Sequence, residues 1–234
     1  MESPKEEHVS APGLTLKAEA TRQRILEAAL KLFATEGYEG TTMRKIATAA
    51  GCSLGLAYRY YASKEELVLG FYRRLARDLE IYVEALPRAS IADRFQQTIL
   101  IQFEQMAPYR DTFSALFTAA LNPKSEVGVF SDNAADIRIV SRDIYVRVVT
   151  GASDAPGRAQ VGDLATALYS MHLALMLFWL QDRTEQSKTT YEMLQYLHDM
   201  IDLVRPLLRL PPASKALARL DQILGPILGS KTQA

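Results

Sequence analysis

The 234-residue chain has one cysteine, Cys52. A single thiol excludes an internal disulfide and leaves no CxxC or Cys/His spacing of the kind that holds a structural zinc; both absences suit a reducing cytoplasm. Net charge is also missing, with 27 Lys and Arg against 27 Asp and Glu, so the chain as a whole has no polybasic character. No Ser/His/Asp set, metal-ligand spacing or phosphate-cradling glycine loop stands out in the sequence. An all-helical enzyme is therefore the disfavoured reading, and no catalytic residue, metal or cofactor is expected. The polar, acidic start, Met1 to Ser10, has no basic stretch leading into an apolar run and reads as a loose tail rather than a secretory signal. The longest apolar stretch, Leu164 to Leu180, is 17 residues and carries Thr166, Ser170 and His172. A spanning helix needs about 20 clean residues, so a core helix covered by protein on every side is the preferred reading.

What the chain does have is apolar residues, 48% of the total against 23% charged, enough for one large domain or a small one joined to a larger one. Its charge is unevenly placed. Residues 17 to 77 hold eleven Lys and Arg against six Glu, an excess balanced by net negative charge elsewhere. A basic N-terminal unit on a mildly acidic body is expected where one part approaches phosphates and the other does not.

The periodicity is helical. Ile25, Leu26, Ala29, Leu30 and Phe33 lie on one face of a helix from Lys17 to Glu36 that should stop at Gly37. Thr42 is placed to cap a second helix with Met43, Ile46, Ala47 and Ala50 inward. Gly51 ends it and Ser53 caps a third running to about Tyr60, the spacing of a helix-turn-helix. Ser63-Lys-Glu-Glu66 is a capping box opening a long helix to about Ala85, in which Glu66 should reach back to the cap residue. Further helices are expected near 91–106, 109–121 (ended by Asn122-Pro123), 132–150, 158–182, 188–209 and 213–224. The β-branched run Ile137 to Val149 also fits a strand, but Ile137, Val140, Ile144 and Val148 share a helical face and no partner strand is apparent.

The stretch Thr21 to Leu75 combines Phe-Ala-x-x-Gly-Tyr, Thr-Thr-Met-x-x-Ile-Ala, Ala-Gly-x-Ser, Tyr-x-Tyr-Tyr and Ser-Lys-Glu-Glu-Leu in order. It resembles the DNA-binding domain of the TetR (tetracycline-repressor-like) family, and residues 172 to 183 look more loosely like the regulatory half of such proteins. The resemblance implies an all-α fold: a flexible tail over 1–16, a three-helix helix-turn-helix domain over 17–62, and a larger helical effector-binding and dimerisation domain over 63–234. It implies that Thr42 and Arg44 meet the DNA backbone, where free helix amides and a forked guanidinium suit phosphate. It also implies that Ser53, Leu54 and Gly55 open the recognition helix, that Tyr58 and Tyr60 touch DNA further along, and that Lys64 grips phosphate. Leu54 departs from the polar or basic residue common at this position, which leaves few bidentate base readers. Arg59 is expected to face solvent, Tyr61 to pack between helices, and Cys52 to be a buried thiol.

Aromatic residues and methionines thicken in the second half, and most must be core. A subset, Phe103, Met106, Phe113, Phe117, Tyr145, His172 and Met176, is the candidate lining of an apolar ligand cavity. Neither His172 nor His198 is expected to bind metal. The apolar faces of 164–182 and 188–209, with Leu164, Leu168, Met171, Leu175, Met193, Tyr196, Leu197, Met200 and Val204, are expected to pair in a homodimer. The resulting expectation is a cytoplasmic homodimeric transcriptional regulator, a repressor released from a pseudo-palindromic operator by a small apolar or aromatic effector. The alternative is a ligand-independent architectural DNA-binding protein.

Overall fold

A computed structural model describes residues 16–120, 128 and 131–229, and every regular element among them is a helix. We number them α1 (Leu16–Gly40), α2 (Met43–Ala49), α3 (Leu54–Tyr60), α4 (Lys64–Ala85), α5 (Ile91–Met106), α6 (Arg110–Ala120), α7 (Ala135–Thr150), α8 (Arg158–Gln181), α9 (Lys188–Val204) and α10 (Pro211–Leu228). The Asn122-Pro123 stop and most of the N-terminal tail lie outside the described residues.

Local chemistry sets the first boundaries. Gly37 breaks the regular turn of α1 with φ 76°, and Gly51 takes φ 62° between α2 and α3. Both are left-handed conformations that cost other residues energy. The hydroxyls of Thr42, Ser53 and Ser63 accept from the amides of Lys45, Leu56 and Glu66 at 3.3, 3.2 and 3.2 Å, so α2, α3 and α4 each begin on a side-chain cap. The Glu66 carboxylate reaches back to the amide of Ala62, one residue earlier than the expected Ser63.

The head is closed by Ile25, Leu30, Phe33, Ile46, Ala57 and Leu67, all buried, each large side chain contributing about 1.5–3 kcal/mol. Arg24 donates to the Ala50 carbonyl at 2.9 Å and ties α1 to the end of α2. In the body, α7 and α8 lie side by side, α10 packs on α8 and touches α7, α5 packs on α7 and α9, and α4 runs from the head along α7. Ion pairs of Arg73 with Asp136 (2.7 Å) and Arg147 with Glu80 (2.7 Å) bridge α4 and α7. At a partly exposed surface such pairs set register more than stability. Ile137 to Val149 is helical, and the expected final helix begins earlier and ends later as α10, with Pro226 inside it. The expected helix over 188–209 divides into α9 and a 3-10 turn, Arg205–Arg209.

The helix α8 is long and apolar enough to cross a membrane by length and composition. It is not covered on every side as expected. Leu164, Leu168 and Leu175 are buried within the protomer, whereas Leu177 and Phe178 remain exposed. This corrects the expected pairing face: α7 and α10 already take the side of α8 on which Leu164 and Leu168 lie.

One buried cation holds the far end of the body. Arg94 is 3% exposed and donates to the carbonyls of Val148 (3.0 Å), Leu86 (2.9 Å), Pro87 (2.7 Å), Val83 (3.3 Å) and Arg147 (3.3 Å). These oxygens belong to the C-terminal ends of α4 and α7, where helix carbonyls lack partners and the dipole favours positive charge. Arg94→Met should therefore cost about 3–5 kcal/mol in urea unfolding, and Arg94→Lys should recover less than half of it. A loss below about 1 kcal/mol would mean that water replaces the guanidinium at these carbonyls.

Candidate nucleic-acid interface and interior cavity

The two short helices α2 and α3 present a mixed face to solvent. Thr42, Arg44, Ser53, Gly55 and Arg59 are exposed, and Tyr58 is 49% exposed at the surface of α3. Leu54 and Tyr60 are half-buried and lean on the head core, whereas Tyr61 is buried against α1 with Arg22 5.4 Å from its ring centre. Cys52 is half-buried and free. Lys45 is taken up by Glu36 at 2.5 Å, which leaves Arg44 as the cation of α2 with no ion pair among the described residues.

Lys64 is more constrained than a free phosphate ligand. Its Nζ donates to the Tyr38 carbonyl at 3.0 Å and lies 4.1 Å from the centre of the Tyr38 ring. The Tyr38 hydroxyl donates in turn to Glu65 at 2.6 Å. The ammonium is thus held at one place beside the start of α4 rather than swinging freely.

Behind the head is an apolar cavity of about 390 Å³, within the usual range for small-molecule sites. The structure gathers Met106, Phe113, Phe117, Tyr145, His172 and Met176 around it. Phe103 lies elsewhere. It stacks on Trp179 with ring centres 5.4 Å apart and meets Tyr191 edge-on at 5.9 Å, because its side of α5 faces the ends of α8 and α9.

Most of the polar lining lies on one side, with Gln102 of α5 on the other. Tyr72, Leu75 and Leu79 of α4, Met106 of α5, and Phe113 and Phe117 of α6 supply apolar and aromatic surface. From the opposite wall come Arg138, Ser141 and Tyr145 of α7, and Tyr169 and His172 of α8. The sequence reading missed Arg138, Ser141, Tyr169, Tyr72 and Gln102. The spacing of Arg138, Ser141 and Tyr145 along one face of α7 was the signal available, and the β-branched residues between them obscured it. Burial pushes Tyr169 up to about 12 and His172 down to about 3, and raises Tyr145 well above its usual value, so all three are uncharged near neutrality. The Tyr145 hydroxyl and His172 Nδ1 are 2.6 Å apart. His198 is unrelated to the cavity. It bridges Asp93 and Asp199, both at 3.1 Å, and no group of metal-ligating residues occurs among the described residues.

Cavity and head share α6. Phe113 and Phe117 line the cavity, while Thr112, buried on the same helix, donates to the Leu30 carbonyl of α1 at 3.0 Å. The start of α6 is pinned by Arg110, which donates to the Trp179 carbonyl at 2.6 Å and to Ser187 at 2.9 Å, with its guanidinium 4.9 Å from the Trp179 ring centre.

A capped helix-turn-helix head on a helical body with an interior cavity is the architecture of a DNA-binding regulator, and comparison with known proteins narrows it. Residues 25–70 match the family model of bacterial regulatory proteins of the tetR family. The HTH-type transcriptional regulator HbdR of Aromatoleum sp. (strain CIB) is 37% identical over 70 residues, 30% of this chain and 29% of that protein. The chain spans about a third of the length of the curated relatives it matches. A tetR-family transcriptional regulator from Streptomyces coelicolor shares the fold with a TM-score of 0.61 at 20% identity, over 89% of this chain and 90% of that one. Thermus thermophilus FadR, a TetR-family repressor in complex with lauroyl-CoA, does so with a TM-score of 0.53 at 23% identity, over 76% and 92%. The family match thus covers the head, residues 25–70, and the fold of the whole chain is that of the tetR-family structures it resembles. The proteins it matches are transcriptional regulators, not enzymes.

The neutral His172 has a measurable consequence. Its folded-state pKa, about 3, lies below the unfolded value of about 6.5, so the unfolded chain takes up the proton first as pH falls. Stability is present above that value and is lost on the way down, by about 2 kcal/mol at pH 5. His172→Asn keeps an acceptor for the Tyr145 hydroxyl but cannot titrate. Urea unfolding at pH 7.5 and pH 5 should show the wild type losing about 2 kcal/mol more than the variant; equal losses would mean that His172 protonates freely in the folded state.

Proposed function

We propose that this protein is a homodimeric transcriptional repressor that leaves a pseudo-palindromic operator when a small, largely apolar effector fills the body cavity. The observation that carries this reading is that α6 is at once a wall of the cavity, through Phe113 and Phe117, and a support of the head, through Thr112 and Leu30. A ligand that displaces α6 strains that seam, and a small rigid shift of the head is enough to spoil half-site spacing of about 34–36 Å. The T. thermophilus protein, in complex with lauroyl-CoA, is a precedent for a ligand with an apolar chain in this fold. In this reading Thr42, Arg44 and Lys64 contact phosphate, and Ser53, Leu54, Gly55, Tyr58 and Tyr60 approach the groove. The protein works in the cytoplasm, where its DNA is.

The second copy docks on α9. Met193, Tyr196, Met200 and Leu203 recur along one helical face, with Tyr196 and Leu203 exposed by 58% and 68% and Phe178 of α8 nearby in the exposed set. Isologous pairing of such faces gives a two-fold dimer whose heads match a palindrome.

Selection of binding sites from random duplexes by the full chain should enrich a two-fold sequence; recovery without preference would favour the architectural alternative. On the selected site, Arg44→Ala should weaken binding about equally for all sequences and reduce the salt slope by about one unit, as a phosphate contact does. Substitution of Leu54 or Gly55 should change the preferred site instead. An Arg44→Ala protein with unchanged affinity and slope would place α2 away from the backbone.

A further inference from the structure

The cavity lining carries hydrogen-bonding groups that no partner among the described residues takes up. His172 of α8 is 6% exposed and lines the cavity. The Tyr145 phenol keeps its proton and makes no other hydrogen bond among the described residues, so at 2.6 Å it donates to His172 Nδ1, the stronger acceptor. The imidazole proton then resides on Nε2, which has no partner among the described residues. On α5, the Gln102 Oε1 is buried without a hydrogen bond, and its amide has no other partner among the described residues. Such an amide has N–H groups to donate. The Tyr72 hydroxyl of α4, whose ring stacks on Phe113, is likewise unbonded among the described residues. Buried polar groups left without partners cost free energy that a ligand can return.

All three groups are uncharged, and their surroundings penalise charge. Burial raises Tyr72 and Tyr145, brings Tyr169 up to about 12 and His172 down to about 3, each toward its neutral form. A charged ligand head meets the same desolvation. Arg138 also reaches the lining, already donating to the Ser131 carbonyl at 2.6 Å; a carboxylate probe reads whatever field it retains there. Pure hydrocarbon leaves the donors unanswered, and an amine adds more of them. A carbonyl oxygen brings two lone pairs and no proton, the complement of N–H groups on two walls. We infer that the cavity takes an uncharged, largely apolar carbonyl compound, its oxygen accepting from His172 Nε2–H with the Gln102 amide as second donor, and its hydrocarbon against the aromatic surface of α4 and α6. This rests on the reading of the cavity as the effector site.

Calorimetry on the full-length protein tests it with probes of matched size that differ in the head: methyl octyl ketone, decanoate and decylamine, and a parallel set of naphthyl methyl ketone, naphthoate and naphthylmethylamine. In at least one set the ketone should bind about fivefold or more tightly than the acid and the amine. Infrared spectra of the bound ketone, isotope-labelled at the carbonyl carbon, should place its stretch below the value in hexane, as N–H donation to the oxygen does. His172→Phe combined with Tyr145→Phe removes the donor without stranding the phenol. The double variant should return the stretch toward its hexane value and weaken ketone binding by about fivefold or more; Gln102→Leu should move the stretch the same way by less. The inference is overturned if neither ketone binds, if acid or amine matches the ketone in both sets, or if the stretch of the bound ketone equals that in hexane. It is also overturned if that stretch is unmoved by the double variant, or by Gln102→Leu should the double variant not fold. Operator affinity measured with each probe separates the two claims. A ketone bound selectively with no change in operator affinity upholds this inference and overturns effector release, whereas an acid or amine that binds more tightly and releases DNA does the reverse.

Discussion

The architecture turns on the fact that one short helix serves two cores. The helix α6 lies along α1, with Thr112 bonded into the head, and sends Phe113 and Phe117 the other way into the body. Packed interiors are close to crystal density and do not deform smoothly, so neither face of α6 moves without the other responding. Aromatic contacts tighten the joint: Phe113 lies 5.3 Å from Phe71 and stacks on Tyr72 at 6.1 Å, both on α4, the helix that continues from head into body. Arg110 fixes the start of the same helix to the end of α8. Head, cavity and the α8–α9 corner are therefore mechanically connected through eleven residues.

How much of this was legible in the sequence follows from the range of the interactions. Thr42, Ser53 and Ser63 cap helices through amides three residues away, and Gly37 and Gly51 act at their own φ angles, so the head could be read from neighbours in the chain. The same local reading placed α5 and the strand-like α7 as helices. What it missed depends on crossings. The side of α5 that bears Phe103 meets Trp179 and Tyr191, some 76 and 88 positions further on in the numbering, and periodicity alone cannot tell a cavity-facing residue from one that faces another helix. Leu164, Leu168 and Leu175 suffered the same fate, being apolar for contacts within the protomer rather than for a second copy. The hold of Lys64 on Tyr38 was hidden for the same reason, since it comes from a carbonyl 26 residues earlier.

The wall that bears the polar groups is also the one braced from outside. Asp221 of α10 accepts from Thr166 at 2.5 Å and lies 3.5 Å from Arg142, whose Nε donates to Thr166 at 2.9 Å and whose Nη2 donates to Gly162 at 3.0 Å. The network is largely desolvated, and breaking one member of such a set strands the others. It clamps α7, α8 and α10 together.

The cavity is thus bounded by an anvil and a piston. The anvil, α7 and α8 backed by α10, keeps its hydrogen-bonding groups in fixed register; the piston, α6, bears the aromatic bulk and connects to the head. Polar contact and sensing of bulk would then be carried by different helices. Under the proposed mode of action, such a division lets the bulk of Phe113 or Phe117 be altered to retune which ligand size moves the head without rebuilding the polar wall, so affinity and response become separately adjustable traits.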